Sequence, residues 1–135
     1  MGTGNSVGDL ITRIRNGIIK NKEVISCQKS FLNEEILKTL EREGFIMGYR
    51  LNSINQKRFH IDIHLKYINN EPVIRELVLI SKARKEIFVK YETLLEFQKR
   101  YSFKILVLST SKGIISSQEA ISTYFVGGKI LFKIN

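Results

Sequence analysis

An α+β fold in two small lobes is what the sequence predicts, and three observations predict it. Residues 7–18 and 31–43 carry apolar side chains at helical spacing, residues 58–67 alternate apolar and polar with a period of two, and the stretch after Pro72 is rich in short extended runs separated by polar breaks. A length of 135 residues accommodates one domain or two lobes sharing a surface. The turn Asn69-Asn70-Glu71-Pro72 holds the only proline and is taken as the boundary. It gives an N-terminal α/β lobe, residues 1–70, and a C-terminal strand-rich lobe with a short helix, residues 71–135.

In the first lobe Val7, Leu10, Ile11, Ile14 and Ile18 form one apolar helical stripe. Asn5 or Ser6 is expected to cap it, Asp9 to sit in its first turn, and Gly17 to lie near its end. Arg13, Asn16 and Lys20 fall together off the stripe, while Arg15 points elsewhere. Val24 to Cys27 reads as a strand. Phe31 to Glu43 reads as a second helix with Leu32, Ile36, Leu37 and Leu40 inward, ended by Gly44. Phe45 to Leu51 reads as a strand and Asn52 to Gln56 as a polar turn. From Arg58 to Tyr67 the residues Phe59, Ile61, Ile63, Leu65 and Tyr67 face a core, with Arg58, His60, Asp62, His64 and Lys66 facing water.

In the second lobe Val73-Ile74, Leu77 to Ile80 and Ile87 to Val89 read as extended, with a basic connection from Ser81 to Lys85 between the last two. Thr93 to Tyr101 reads as a short helix with Leu94, Leu95 and Phe97 partly inward. Ile105 to Leu108 is an apolar strand, Ser109 to Gly113 a polar loop, Ile114-Ile115 a brief strand and Ser116 to Ala120 a turn. Gly127-Gly128 precedes a last strand in which Ile130, Phe132 and Ile134 alternate with Lys129, Leu131 and Lys133.

Composition narrows the function. The hydrophobic fraction of 43% supplies a core, and a net charge of +9 with pI near 9.8 calls for an anionic partner such as nucleic acid or an acidic membrane face. The basic residues are spread along the chain, which favours a folded basic surface over a disordered arm. One cysteine, Cys27, excludes an internal disulfide and reads as a buried small side chain in a reducing compartment. No apolar run is long enough to span a bilayer, and the N-terminus lacks a secretory pattern. Met1-Gly2 followed by Ser6 loosely matches the myristoylation pattern, but the pattern is short and no polybasic cluster adjoins it as a second anchor, so it is discounted. Alanine occurs only at Ala83 and Ala120 while Ile, Lys, Asn and Phe abound, which reads as drift under A/T-rich codons in an organellar or reduced genome.

Four constellations carry possible chemistry. His60, Asp62 and His64 share one strand face and could ligate a metal, but Arg58 and Lys66 flank them, so a solvated face is the better reading. Ser109 to Lys112 contains the Ser-x-x-Lys string of penicillin-binding enzymes, here following a strand and without the companion motifs. Gly127-Gly128-Lys129 ends as a phosphate loop does but precedes a strand. The Ser109 to Gly113 loop sets three hydroxyls beside a lysine and a glycine, a set able to address phosphates, base edges and ribose hydroxyls.

Taken in order, three stretches resemble the small-subunit ribosomal protein eight family of bacterial and organellar type: Asp9-Leu10-Ile11-Thr12-Arg13-Ile14-Arg15-Asn16-Gly17, Glu43-Gly44-Phe45-Ile46 and Ser109-Thr110-Ser111-Lys112-Gly113-Ile114. Glu119-Ala120 and Val126-Gly127-Gly128 follow at the expected spacing. The resemblance implies a structural constituent of the small ribosomal subunit that binds the central domain of small-subunit ribosomal RNA and supports assembly and translation. It implies no catalysis and no cofactor. Neighbouring ribosomal proteins would be further partners, with no membrane and no small-molecule substrate. Ser109, Thr110, Ser111, Lys112 and Gly113 would enter an RNA junction with splayed bases, with Gly127 and Gly128 as the turn beside them. Thr12, Arg13, Arg15 and Asn16 would meet RNA backbone.

Two departures matter. Lys129 stands where the family usually carries a glutamate, and the family's basic Pro-Gly turn is here Lys82-Ala83-Arg84-Lys85, which keeps Lys82, Arg84 and Lys85 as basic contacts. The composition points to a mitochondrial ribosome, with a plastid or the bacterial cytoplasm as alternatives. Competing readings are a regulator that binds messenger RNA mimicking the same site, and a small metal-dependent enzyme using His60, Asp62 and His64.

Overall fold

A computed structural model describes residues 4–55, 58–82, 84–100, 104–124 and 127–135. Gln56, Ala83, Tyr101, Val126 and the Met1-Gly2 start lie outside the described residues, as does the Asn5 side chain. The fold is α+β, and the chain divides into two compact units, Met1–Ile74 and Arg75–Asn135.

The first unit opens with α1 (Gly4–Ile19), β1 (Val24–Gln28) and α2 (Phe31–Arg42). It continues with β2 (Ile46–Asn55), β3 (Arg58–Leu65) and a small hairpin of β4 (Tyr67–Ile68) and β5 (Glu71–Pro72). Strands pair antiparallel in the order β1-β3-β2. α1 packs on β1 and α2 on β2, so Leu10, Ile11, Ile14, Ile36, Leu37, Leu40, Ile61 and Ile63 are sealed between helices and sheet. Residues at the ends of both helices satisfy the backbone groups a helix leaves unpaired. Asn21, at φ 53°, ends α1 with Lys22 N–H donating to Gly17 and Asn21 N–H to Ile18; Gly44, at φ 82°, ends α2 with the same pair of bonds from Phe45 to Leu40 and from Gly44 to Glu41. Ser30 caps the start of α2 by accepting from Asn33 N–H.

Several local readings change. α1 begins at Gly4, so Ser6 lies within it and Asp9 lies beyond its first turn, where it pairs with Arg13 at 2.9 Å instead of meeting the helix dipole. Gly17 lies in the last turn of α1, near its end as expected; a Cβ there would stand 2.5 Å from Ile25 Cγ2, so its lack of a side chain also lets helix and strand approach. Residues 52–55, expected as a turn, continue β2, because the strand is paired through Asn55↔Arg58. Phe59 keeps the phase of Ile61 and Ile63 but lies at the end of the sheet, 48% exposed, with the Lys29 ammonium 5.5 Å above its ring. Leu32 is only half-buried. Asn69 and Asn70, at φ 53° and 65°, supply the two left-handed residues a tight two-residue hairpin needs between β4 and β5.

The second unit contains β6 (Leu77–Leu79), β7 (Phe88–Lys90), α3 (Tyr91–Arg100), β8 (Ile105–Thr110), β9 (Gly113–Ser116), α4 (Ser117–Ser122) and β10 (Gly127–Ile134). The antiparallel order is β6-β10-β8-β9, and β7 also pairs with β10, near its start. Val89, Leu94, Leu106, Leu108, Ala120 and Ile130 form the core against α3 and α4. A bulge between Ile130 and Phe132 breaks the expected alternation of β10 and leaves Leu131 buried as well. Val73 and Ile74 belong to no strand. Residues 116–120, expected as a turn, are instead a cap and a helix. Ser116 accepts from Glu119 N–H at 3.2 Å, and Ser116 N–H donates to Glu119 Oε1 at 3.4 Å, a reciprocal box that starts α4.

Candidate nucleic-acid interface

The polar loop expected at residues 109–113 is narrower in the structure. Ser109 and Thr110 end β8, Gly113 opens β9, and Thr110 pairs with Gly113, so only Ser111 and Lys112 form the turn. Thr110 holds that turn shut: its Oγ1 donates to Gly113 O at 2.9 Å and accepts from Lys112 N–H at 3.2 Å. Gly113 adopts φ 111°, which a side chain would oppose. The consequence is a rigid tip that turns Ser111 and Lys112 out to solvent.

Gly127 and Gly128 do not form the turn expected beside that loop. They are the first residues of β10, opposite Lys90, Val89 and Thr110. They are glycines because β10 crosses the tip too closely for a side chain. A Cβ on Gly128 would stand 2.7 Å from Ser109 O and 2.8 Å from Thr110 Cγ2, and one on Gly127 would stand 3.2 Å from Val89 O. Lys129 follows them, level with Ser109 on one side and Phe88 on the other. Directly paired residues in an antiparallel sheet share a face, so Phe88, Lys129 and Ser109 form one row across β7, β10 and β8. Ile114 extends that row onto β9. Lys129 Nζ lies 3.6 Å from Glu86 Oε1, a partly exposed pair of modest strength.

Phe88 is the residue the sequence reading missed. Ile87 to Val89 reads as an ordinary apolar strand, yet Phe88 is 66% exposed while Val89 is buried. The signal was its phase: Phe88 shares a side with Lys90, and Val89 alone belongs to the core. An exposed aromatic beside a lysine and a serine is a set that can stack bases, neutralise phosphate and hydrogen-bond sugar or base edges.

The other expected contacts fall in separate places. Lys82 and Lys85 exchange backbone bonds of 3.0 Å each way, a tight turn that leaves the side chains of Lys82, Arg84 and Lys85 exposed. Ile87 N–H donates to Ser81 Oγ at 2.8 Å and secures its base. In the first unit Arg13 and Asn16 join Lys20, Lys22, Ser26 and Asp62 around a hollow of about 350 Å3. Arg13 is held there by Asp9 and by a 3.3 Å bond to Ser26 O. Thr12 donates its hydroxyl to Gly8 O at 2.8 Å within the helix, and Arg15 is exposed on another side of α1.

The rival chemistries find less support in the geometry. His60 Nε2 lies 3.1 Å from Asp62 Oδ1, and Asn52 Nδ2 donates to Asp62 Oδ2 at 2.9 Å, so the carboxylate is engaged by its own sheet. Among the described residues no group of three or more His, Cys, Asp or Glu side chains is placed to hold a metal ion. Ser109 lies in a strand rather than opening a helix, so the Ser-x-x-Lys string lacks the setting that activates the serine. Cys27 is buried, and burial pushes its thiol up to about 11, with Arg13 opposing the rise and Asp9 adding to it. Such a thiol stays protonated and inert at neutral pH. No described helix is long and apolar enough to cross a membrane.

The profile of the family described as ribosomal protein S8 matches residues 5–135. A small ribosomal subunit protein uS8 from Nitrobacter hamburgensis is 37% identical over 134 residues, covering 99% of each chain. Proteins of the same name from Rhodopseudomonas palustris and Brucella anthropi are 37% and 34% identical over the same length and coverage. The match runs through both units, and the chain belongs to the ribosomal protein S8 family.

Proposed function

We propose that this chain is a structural constituent of the small ribosomal subunit that binds the central domain of small-subunit ribosomal RNA and supports subunit assembly and translation. The observation that carries this reading is the row of Phe88, Lys129 and Ser109 leading to the exposed Ser111-Lys112 turn. Regular A-form RNA hides its base edges in a deep, narrow groove, so a rigid tip of this kind suits a junction whose bases are splayed. Lys112, Lys129, Lys82, Arg84 and Lys85 supply charge, and Ser109 and Ser111 supply hydroxyls. Gly113, Gly127 and Gly128 act by shaping the tip, as does the Thr110 hydroxyl. Thr12, Arg13, Arg15 and Asn16 offer a second contact with RNA backbone, to which Lys20 and Lys22 are added by the hollow they share with Arg13.

Affinity on this reading comes from counterion release at phosphates, and discrimination from the tip. The ribosome in question is bacterial or organellar. The relatives compared are bacterial, and the scarcity of alanine favours a mitochondrial ribosome over a plastid or bacterial one.

The test is crosslinking of the native protein to RNA with the bound RNA sequenced, joined to binding of two variants. Reads concentrated in the central domain are expected, and their sequence would identify the compartment. Lys112→Ala should weaken binding and lower the salt slope by about one. Ser111→Ala should chiefly narrow the gap between the junction and a plain duplex; an unchanged gap would remove the tip from recognition.

A further inference from the structure

The side of the β8–β9 tip that faces the helices carries a feature the exposed row does not use. A hollow of about 160 Å3 opens beside the turn, lined by Thr110, Lys112, Ile115, Glu119, Thr123 and Tyr124 among others. Ile115 pairs with Leu108, a core residue on the α3 and α4 side, whereas Ser109 pairs with Lys129 and faces the other way. The hollow and the Phe88 row therefore lie on opposite faces of the same hairpin.

Tyr124 stands at one wall in a conformation tyrosine rarely takes. It follows the α4 C-cap Thr123 with φ 52°, the left-handed position that ordinarily goes to glycine or asparagine. The residue is 74% exposed, and Tyr91 lies against its ring at a centroid distance of 5.2 Å and a tilt of 36°. An exposed aromatic held in a disfavoured backbone state and stacked on a second ring offers a flat apolar surface to a ligand. The rest of the hollow selects the ligand. Ile115 gives an apolar wall, while Lys112 at the rim attracts anions. Glu119 is held in place by its bonds to Ser116 and puts a carboxylate on the wall. A phosphate is repelled from the interior and attracted at the rim, so a nucleotide would enter base first.

We propose that this hollow receives an unpaired nucleobase of the bound RNA, stacked on Tyr124, with its phosphate at Lys112, so that RNA holds the tip from both faces. The inference rests on the reading above that the tip binds RNA. Stacking of this kind tolerates any base and is worth a readily measured share of affinity.

The test uses the full chain and a transcript of the central domain of Nitrobacter hamburgensis small-subunit ribosomal RNA, with 2-aminopurine placed at each unpaired junction position in turn. One position should be quenched on binding by the wild type and by Tyr124→Phe. With Tyr124→Gly that quench should vanish and affinity should fall about tenfold, while the melting temperature stays level or rises, because glycine suits the backbone there. Junction binding with quench and affinity intact in Tyr124→Gly would overturn the proposal. So would a variant that melts lower in step with weaker binding, which would make Tyr124 a packing residue. Failure of the wild type to prefer the transcript over plain duplex would instead overturn the RNA reading of the tip, and the base subsite with it.

Discussion

Replacing Gly128 by alanine should damage the tip without altering any side chain proposed to meet RNA. The added methyl would stand 2.7 Å from Ser109 O and 2.8 Å from Thr110 Cγ2. The first is a backbone atom inside the β8–β10 ladder and cannot swing aside, so the strands must separate locally. Overpacking of this kind costs about 1–3 kcal/mol. Alanine recovers about 0.4–1 kcal/mol by narrowing the unfolded ensemble. The centres of the two ranges leave a net loss of about 1.3 kcal/mol, which lowers the melting temperature by roughly 5–10 °C if residues 75–135 unfold as one unit. Separation of β10 from β8 also pulls Lys129 away from Ser109, so preference for the RNA junction over plain duplex should fall. Calorimetry and filter binding at two salt concentrations read both effects. Gly44→Ala is the control: its φ of 82° makes it strained, but nothing lies within 4 Å of the new methyl. It should lose stability and keep its RNA preference. A Gly128→Ala protein that melts within about 1 °C of wild type and binds RNA unchanged would refute the close-approach argument.

Two further outcomes are expected. Ser116→Ala removes the cap and half of the reciprocal box with Glu119, so urea denaturation should show a loss of about 1 kcal/mol. For Cys27, burial raises the folded-state pKa from 9.0 to about 11. As pH rises past about 9 the unfolded chain releases the thiol proton first, so the unfolded state binds fewer protons and stability falls until pH reaches about 11. Urea titrations between those pH values should show this slope in the wild type and a shallower one in Cys27→Ala; equal slopes would mean that the thiol is not desolvated.

The sequence by itself determined the elements whose pattern is local and repeated. α1 and α2 declared themselves through apolar residues three and four apart, and Gly44 as the end of α2 through its freedom to take a left-handed conformation. β3 was legible from the period-two run Ile61, Ile63 and Leu65. The family was legible from motifs in order, and the net charge of +9 named the class of partner. The start of α4 was also written locally, since Ser116 followed three residues later by Glu119 is a capping signature, but the short helix behind it gave too little periodicity to draw notice. Tertiary structure alone decided the rest, because the deciding contacts join residues far apart in the chain. Gly127 and Gly128 look like a turn until β8 is seen crossing them. Phe88 looks like core until its neighbours across the sheet prove to be Lys129 and, beyond it, Ser109. Asn52 to Asn55 looks like a turn because its residues are polar, yet β3 supplies the backbone partners that make it strand. Periodicity reports which side of an element is apolar; only pairing between strands reports what stands beside it, and the row of Phe88, Lys129 and Ser109 is made of such pairings.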